Sequence, residues 1–391
     1  MRRIIIVSVC AVLLVAYLFE VSSSKTKIPS VIFLLFLGWL ARQVIEMLGI
    51  HLPELSFILP FLGTIGLVLI VLEGALELEF DKSKFALIKK SFIGAFFTIA
   101  ALSALLAALF DYFGSYGFKN SFINAIPFCV ISSAIAIPSA RGLATKNKEY
   151  VIYESSLSDI LGVLIFNFFV FNEAVSVYSL GNFTLEIFII SIISFLATVL
   201  LSYLLYKIEY HIKFFPIILL VVMIYTISRI YELPGLVFIL LFGLFIGNVR
   251  KIKGFKWIEK FRLEELGKEV QKFKELNIEV TFLVRSLFFL LFGYLIETRE
   301  LLDMTTFYWA ASIVGLIFIF RIIQLKWSKL PLRPLLFMAP RGLITTQLFL
   351  SIIPAQRIPI VNKSLIIQVI ILTSLVMMIG LITNRSKQDI P

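Results

Sequence analysis

The chain has 391 residues, of which 60% are hydrophobic and only 16% are charged. Soluble domains carry about 45–50% apolar and about 25% charged residues, so this composition excludes a soluble globular protein and predicts an all-α integral membrane protein. The formal net charge of +11 does not indicate nucleic-acid binding, because the basic residues fall on short loops between apolar runs. The two cysteines lie in apolar runs and indicate neither a disulfide framework nor a metal site.

About thirteen apolar stretches are predicted to cross the bilayer, since a span needs about 20 residues. In chain order they are 4–19, 28–50, 55–78, 84–113, 121–143, 149–172, 182–206, 213–230, 234–249, 277–296, 304–325, 333–353 and 361–384. Between the ninth and tenth spans, the polar segment 250–276 has a helical pattern and predicts a cytoplasmic helix at the membrane interface. The chain is therefore expected to form a single transmembrane domain, 1–391.

The basic residues predict the orientation of the spans. With the C-terminus inside, 25 of the 36 Lys and Arg residues fall on the cytoplasmic side, 7 fall outside and 4 lie within spans. This bias predicts a cytoplasmic C-terminus in the cell (inner) membrane. The first 24 residues are similar to a signal peptide, but no clear small-residue cleavage site precedes Lys25, so we expect a retained helix.

Two of the predicted spans are interrupted by proline followed closely by Arg-Gly-Leu. The interruptions involve Ala134, Ile135, Ala136, Ile137 and Pro138 in the fifth span and Pro340, Arg341 and Gly342 in the twelfth. The second interrupted span comes seven spans after the first. Because successive spans cross the membrane in opposite directions, an odd separation gives the second copy the opposite orientation to the first. This arrangement predicts an inverted repeat with two crossed broken helices, comprising 1–172 and 213–384 with 182–206 as the linker. The alternative is two ordinary proline kinks, which are common in membrane helices.

Asp159 lies near the middle of the sixth span, about 15 Å along the helix from Glu149. A carboxylate at this depth costs about 2.5–3.5 kcal/mol, which favours a functional role. Ser155 lies one turn earlier on the same face, so the pair offers oxygen ligands for a monovalent cation and a site for a proton. The alternative is an aspartate that a neighbouring arginine neutralises or that stays protonated.

Other charged residues in the spans are assigned mainly to structure. Glu154 and Arg321 lie at matching depths, and we expect an ion pair between them. Arg285 has no obvious partner, and Glu73 is a candidate for that role. Glu73 itself is either a ligand or part of an acidic cluster at the end of its helix.

Four stretches resemble motifs of the monovalent cation:proton antiporter superfamily, which includes sodium/proton antiporters and exchangers. They are 71–78 (VLEGALEL), 154–159 (ESSLSD), 320–321 (FR) and 339–342 (APRG). The resemblance extends from about residue 28 to 384. It implies a sodium/proton antiporter-like fold, a homodimer and elevator-like alternating access, with no cofactor.

The resemblance also implies roles for individual residues. Asp159 would bind the transported Na⁺ or K⁺ and the proton, with Ser155 and Glu73 as supporting ligands and Glu154 and Arg321 as a stabilising pair. Backbone oxygens around 134–138 would contribute as well. Ser158 stands where the family has Asn before its Asp, and we include it among the ion-binding residues. The fifth-span break lacks the family's Thr-Asp-Pro, so a single midplane carboxylate predicts electroneutral exchange of one proton per cation.

Two other functions remain as alternatives at this point. A proton-coupled carrier of a small anion could use Arg141 or Arg341 in the two breaks. A non-transporting membrane scaffold or sensor would bind a soluble partner through 250–276. An enzyme is not expected, because the sequence has no His-based or Cys-based catalytic cluster and no phosphate loop.

Overall fold

The structure is a computed structural model that describes residues 2–26, 28–49, 54–78, 82–172, 177–207, 214–231, 233, 235–249 and 263–384. Within these ranges all regular secondary structure is helical. The α-helices of the described ranges are α1 Arg2–Thr26, α2 Ser30–Met47, α3 Ile58–Glu77, α4 Phe85–Gly114, α5 Phe118–Cys129, α6 Ser133–Ser139, α7 Thr145–Phe171, α8 Val177–Lys207, α9 Phe214–Ile230, α10 Gly235–Gly247, α11 Leu263–Tyr294, α12 Thr298–Leu301, α13 Met304–Trp327, α14 Leu343–Ser351 and α15 Lys363–Asn384.

Most predicted spans correspond to helices. In the described part of the chain, nine helical segments are long and apolar enough to cross a membrane. Three shorter apolar stretches of helix, namely Cys10–Ser22 within α1, Phe214–Ile230 and Gly235–Gly247, overlap the first, eighth and ninth predicted spans. The predicted twelfth span is not one helix: a 3-10 turn at Leu335–Phe337 and a non-helical stretch precede the nine-residue α14.

The polar segment before the tenth predicted span differs from the prediction. Residues 250–262 lie outside the described residues. Residues 263–276 do not form a separate helix, because α11 runs without interruption through Leu263–Tyr294. The physical reason is local, since this stretch is rich in Glu, Lys and Leu, which favour helix, and contains no proline to end it.

The chain forms two compact units. The first comprises Met1–Thr64, Lys90–Gly162 and Leu283–Pro391, and the second comprises Ile65–Lys89 and Val163–Phe282. Each unit is assembled from separate segments, so neither coincides with a predicted repeat. The inverted repeat therefore stays a prediction.

The first unit contains both interrupted segments. In it α13 packs against α15, α1 packs against α2 and α6, and α14 packs against α5 and α15. Helices α6, with seven residues, and α14, with nine, are far too short to cross a membrane. Their ends lie inside the unit, and the polar groups of those ends need partners there.

The second unit is built around α10, which packs against α8 and α9. Asn248, just beyond α10, donates a hydrogen bond of 2.8 Å from Nδ2 to the carbonyl of Leu78. Arg229 of α9 donates to Oδ1 of Asn167 at 3.1 Å. Polar contacts between helices are a usual means of association in lipid, where apolar surfaces gain little from packing together.

Candidate ion-binding site

The first break lies between α5 and α6, where Val130 and Ser132 have extended backbone. This position is earlier than predicted: Ala134, Ile135, Ala136, Ile137 and Pro138 are all helical residues of α6. Pro127 lies inside α5 and supplies no N–H, which weakens the hydrogen-bond ladder shortly before the helix ends. The β-branched Val130 and Ile131 then suit an extended backbone.

The second break lies before α14 and contacts the first. Residues Met338 to Gly342 form no helix, and the carbonyl of Pro340 accepts a hydrogen bond of 2.9 Å from the Ser132 N–H. A Cβ atom on Gly342 would come within 2.8 Å of Ser132 Oγ and 2.7 Å of Ile135 Cδ1. A side chain at position 342 would therefore displace the Ser132 hydroxyl and the end of the Ile135 side chain, because the second break lies so close to them.

Arg341 holds the two breaks together through backbone carbonyls. Its fully buried side chain donates to the carbonyl of Phe128 at 2.6 Å, of Ala339 at 2.9 Å and of Cys129 at 3.4 Å. Phe128 and Cys129 end α5, so the guanidinium satisfies carbonyls that have no partner in the helix. A positive charge at a helix C-terminus is also electrostatically favourable.

Asp159 of α7 faces the start of α6. Its side chain is fully buried, and the Ser133 hydroxyl donates a hydrogen bond to its Oδ2. Among the described residues its Oδ1 has no hydrogen-bond partner, and the same is true of the buried Ser132 Oγ. An unpartnered carboxylate oxygen in a buried site costs free energy unless a proton or a cation binds it.

Ser133 is the site residue that sequence reasoning missed. The sequence contained a signal, since Ser132 and Ser133 are adjacent polar residues within an apolar stretch. The site therefore lacks a second acid in the break but has a hydroxyl there.

The other two serines predicted at the site have backbone partners. The Ser158 hydroxyl accepts a hydrogen bond of 3.0 Å from the N–H of Ile131, which the break leaves without a helical partner. The Ser155 hydroxyl is buried and donates to the carbonyl of Ile152 at 3.4 Å. Ser158 thus stabilises the break itself, and a direct role of either serine in ion binding stays a prediction.

The ion pair expected between Glu154 and Arg321 is present, with both side chains 1% exposed. Glu154 Oε1 also accepts from Gln324 Nε2 at 2.6 Å and from the Tyr150 hydroxyl at 3.0 Å. Arg321 donates to Gln324 at 2.8 Å and to the Leu335 carbonyl at 3.1 Å. The pair is thus part of a buried network that joins α7, α13 and the chain before the second break.

Two further residues named from the sequence are Glu73 and Arg141. Glu73 is a half-buried residue of α3 in the second unit. The backbone of Arg141 is in a 3-10 turn at Ala140–Gly142, and its side chain lies outside the described part of the structure. Glu73 as a ligand therefore stays a prediction.

Two interrupted segments that contact each other beside a buried carboxylate, in a chain whose described part has nine apolar helical segments, are typical of secondary transporters. The chain matches the family model described as "Sodium/hydrogen exchanger, transmembrane" over residues 10–385. Because the match covers nearly the whole chain, the protein belongs to the sodium/hydrogen exchanger family. It is thus a multi-pass membrane protein of a transporter family, and the resemblance found in the sequence is confirmed.

Solved structures show the same fold. The structure of the sodium proton antiporter MjNhaP1 from Methanocaldococcus jannaschii at pH 8 is 16% identical, with a TM-score of 0.65 over 99% of this chain and 97% of that chain. The electron-microscopy map of the same antiporter gives 17% identity and a TM-score of 0.67, over 99% and 96% of the two chains. The predicted fold class is therefore confirmed. No curated protein matches the chain.

Proposed function

We propose that the protein is a secondary active antiporter that exchanges a monovalent cation, Na⁺ or K⁺, for H⁺ by alternating access. The observation that carries the proposal is the buried Asp159 carboxylate, with one oxygen bound by Ser133 and the other without a partner among the described residues. Membership in the sodium/hydrogen exchanger family supports the same function.

The mechanism follows from competition for Asp159. The deprotonated carboxylate binds a cation, and the protonated carboxylate does not. Either neutral form can move across the membrane barrier, whereas the bare carboxylate cannot because its desolvation costs too much free energy. Since Ser133 is neutral, one carboxylate exchanges one cation for one proton, and the exchange is electroneutral.

The environment of Arg341 disfavours the alternative of an anion carrier. Three backbone carbonyls accept hydrogen bonds from its guanidinium, and its own N–H donates to the Thr373 hydroxyl at 3.1 Å. A substrate anion would have to displace these contacts from a fully buried side chain.

The proposal includes the assembly and the location of the protein. The antiporter functions as a homodimer in the cell (inner) membrane, with its C-terminus in the cytoplasm. The homodimer is supported by the superfamily resemblance, and the orientation by the excess of Lys and Arg on one set of loops.

The test is the Asp159→Asn variant in proteoliposomes that contain a pH-sensitive dye. Wild-type protein is expected to move protons when Na⁺, K⁺ or Li⁺ is added, and Asp159→Asn is expected to move none, because an amide neither releases a proton nor carries charge. The matched control is Glu46→Gln, which removes an exposed carboxylate paired with Arg42 at 2.7 Å and is expected to transport normally. Normal transport by Asp159→Asn, with protein insertion verified, contradicts the assignment.

A further inference from the structure

Arg285 of α11 connects the first helix of the chain to the first broken helix. Its Nη2 donates to Glu20 Oε1 of α1 at 3.0 Å, and its Nη1 donates to the carbonyl of Ala134 in α6 at 3.3 Å. The Arg285 side chain is 6% exposed and the Glu20 side chain 13% exposed. A buried charge of this kind is costly unless it is paired and hydrogen-bonded.

Glu20 is itself held in place. Its second oxygen, Oε2, accepts a hydrogen bond of 2.6 Å from Ser30 at the start of α2. Helix α1 also packs against α2 and α6. The carboxylate that orients Arg285 is therefore fixed by a neighbouring helix and by the packing of its own helix.

The carbonyl that Arg285 binds is next to the ion site. Ala134 directly follows Ser133, whose hydroxyl donates to Asp159. Both residues belong to the first turn of α6, a helix of only seven residues preceded by extended backbone. So short a helix has few hydrogen bonds of its own to fix its position, and an external donor on its first turn restrains that position.

We propose that Arg285, oriented by Glu20, is a positioning residue that holds the first turn of α6 so that Ser133 meets Asp159. This inference rests on the proposed cation/proton exchange at Asp159. The planar guanidinium suits the role, because it presents separate N–H groups in fixed directions to a carboxylate and a carbonyl at once. Helix α1 thus contributes to cation affinity although it supplies no ligand.

The first test uses Arg285→Lys and Glu20→Gln in proteoliposome exchange, with the apparent KM for the cation and Vmax measured separately. Arg285→Lys keeps the positive charge but loses the planar guanidinium and its separate N–H groups. Glu20→Gln removes the carboxylate that orients Arg285. Both variants are expected to raise KM about tenfold, as the loss of a charge-assisted hydrogen bond predicts. Vmax per inserted protein is expected to change by less than about twofold.

The double variant Glu20→Arg/Arg285→Glu separates positioning from simple stabilisation. The exchanged residues restore an ion pair, but a carboxylate at position 285 cannot donate to the Ala134 carbonyl. We expect the double variant to regain the thermal stability of the wild type while keeping the raised KM. A KM that returns to the wild-type value together with stability would show that the pair only stabilises the fold, and would overturn the proposal.

Controls distinguish this inference from the proposed function. The pair Arg42 and Glu46, with side chains 25% and 55% exposed, provides the matched controls Arg42→Lys and Glu46→Gln, which should leave KM unchanged. If wild-type protein exchanges no cation for protons, the proposed function fails. If wild-type protein exchanges and Arg285→Lys and Glu20→Gln keep its KM, only the positioning role fails. Loss of folding in both single variants would identify a purely stabilising pair and would also overturn the inference.

Discussion

At the residue scale, the proposed exchange depends on a carboxylate and a hydroxyl. Ser133 donates to one oxygen of Asp159, and the other oxygen lacks a partner among the described residues. A hydroxyl can donate to the carboxylate and can also offer its own oxygen to a cation. Ser133 can thus assist binding of the cation without adding a second titrating group.

The Ser133→Ala variant tests this contribution. Removing a hydrogen bond to a charged group costs about 1.5–3 kcal/mol, so the apparent KM for the cation should rise by about one to two orders of magnitude. The measurement is cation-driven proton movement in proteoliposomes at several cation concentrations. Ser156→Ala is the matched control, because Ser156 lies on the same helix as Asp159 and its buried hydroxyl has no hydrogen-bond partner among the described residues. An unchanged KM in Ser133→Ala would remove Ser133 from the site.

At the element scale, buried polar contacts hold the interrupted helices where lipid offers no partners. Ser158 binds the N–H of Ile131, Arg341 binds the last carbonyls of α5, and Pro340 accepts from Ser132. Glu154 and Arg321 join α7 to α13 through a network that includes Gln324 and Tyr150. Each contact satisfies a backbone or charged group that would otherwise be buried alone.

Close packing around that network depends on a glycine. A Cβ atom on Gly94 of α4 would lie 3.0 Å from the Tyr150 hydroxyl and even closer to the Gln324 amide nitrogen. The absence of a side chain at this position allows α4 to approach the network. An alanine there would push the Gln324 amide away from its partners, so helix approach and the charge network are coupled.

The Glu154→Gln variant tests the strength of the ion pair. Removing one partner of a buried pair leaves an uncompensated charge on Arg321, and the free energy of unfolding is expected to fall by about 3–5 kcal/mol. Thermal unfolding of purified protein in detergent measures the change. The double variant Glu154→Gln/Arg321→Gln should lose less stability than Glu154→Gln alone, since it leaves no unpaired charge.

The more exposed pair of Lys272 and Glu269 on α11 supplies a control for that experiment. Their charged atoms are 3.1 Å apart, and the Lys272 side chain is 61% exposed. Lys272→Gln should lower stability by at most about 1 kcal/mol. If Glu154→Gln is as stable as this control, the buried pair does not hold α7 and α13 together.

At the scale of the whole molecule, the proposed mechanism makes one carboxylate set the coupling between cation and proton. In that mechanism, protonation of Asp159 removes the cation site, so cation and proton compete. As pH falls, more of the carboxylate is protonated, and cation binding weakens. The proposal of a single acid implies that one proton leaves for each cation that binds.

The pH dependence of exchange tests this coupling. The apparent KM for the cation is expected to rise about tenfold for each unit of pH below the midpoint of titration, since a single proton competes. Exchange should also be insensitive to a membrane potential imposed with an ionophore, because no net charge moves. If the apparent KM rises about a hundredfold per pH unit, or if exchange responds clearly to the membrane potential, a second proton takes part.

Much of the fold was predictable because hydrophobicity is a local property of the chain. The long apolar runs became helices close to their predicted bounds, as with 149–172 and α7 at Thr145–Phe171. The prediction was wrong at the polar segment, where residues 263–276 continue into α11. The interruption predicted at Pro340, Arg341 and Gly342 lies in the non-helical stretch before α14.

The sequence by itself determined that this is a helical membrane protein with an acid, Asp159, buried in a span. It also indicated the Glu154–Arg321 pair, because both charges had to be compensated at similar depth. Only the tertiary structure decided the position of the first break, the contact of Ser133 with Asp159 and the link from Glu20 through Arg285 to Ala134. The physical reason is that apolar runs act locally, whereas these hydrogen bonds join helices far apart in the chain and exist only once those helices are packed.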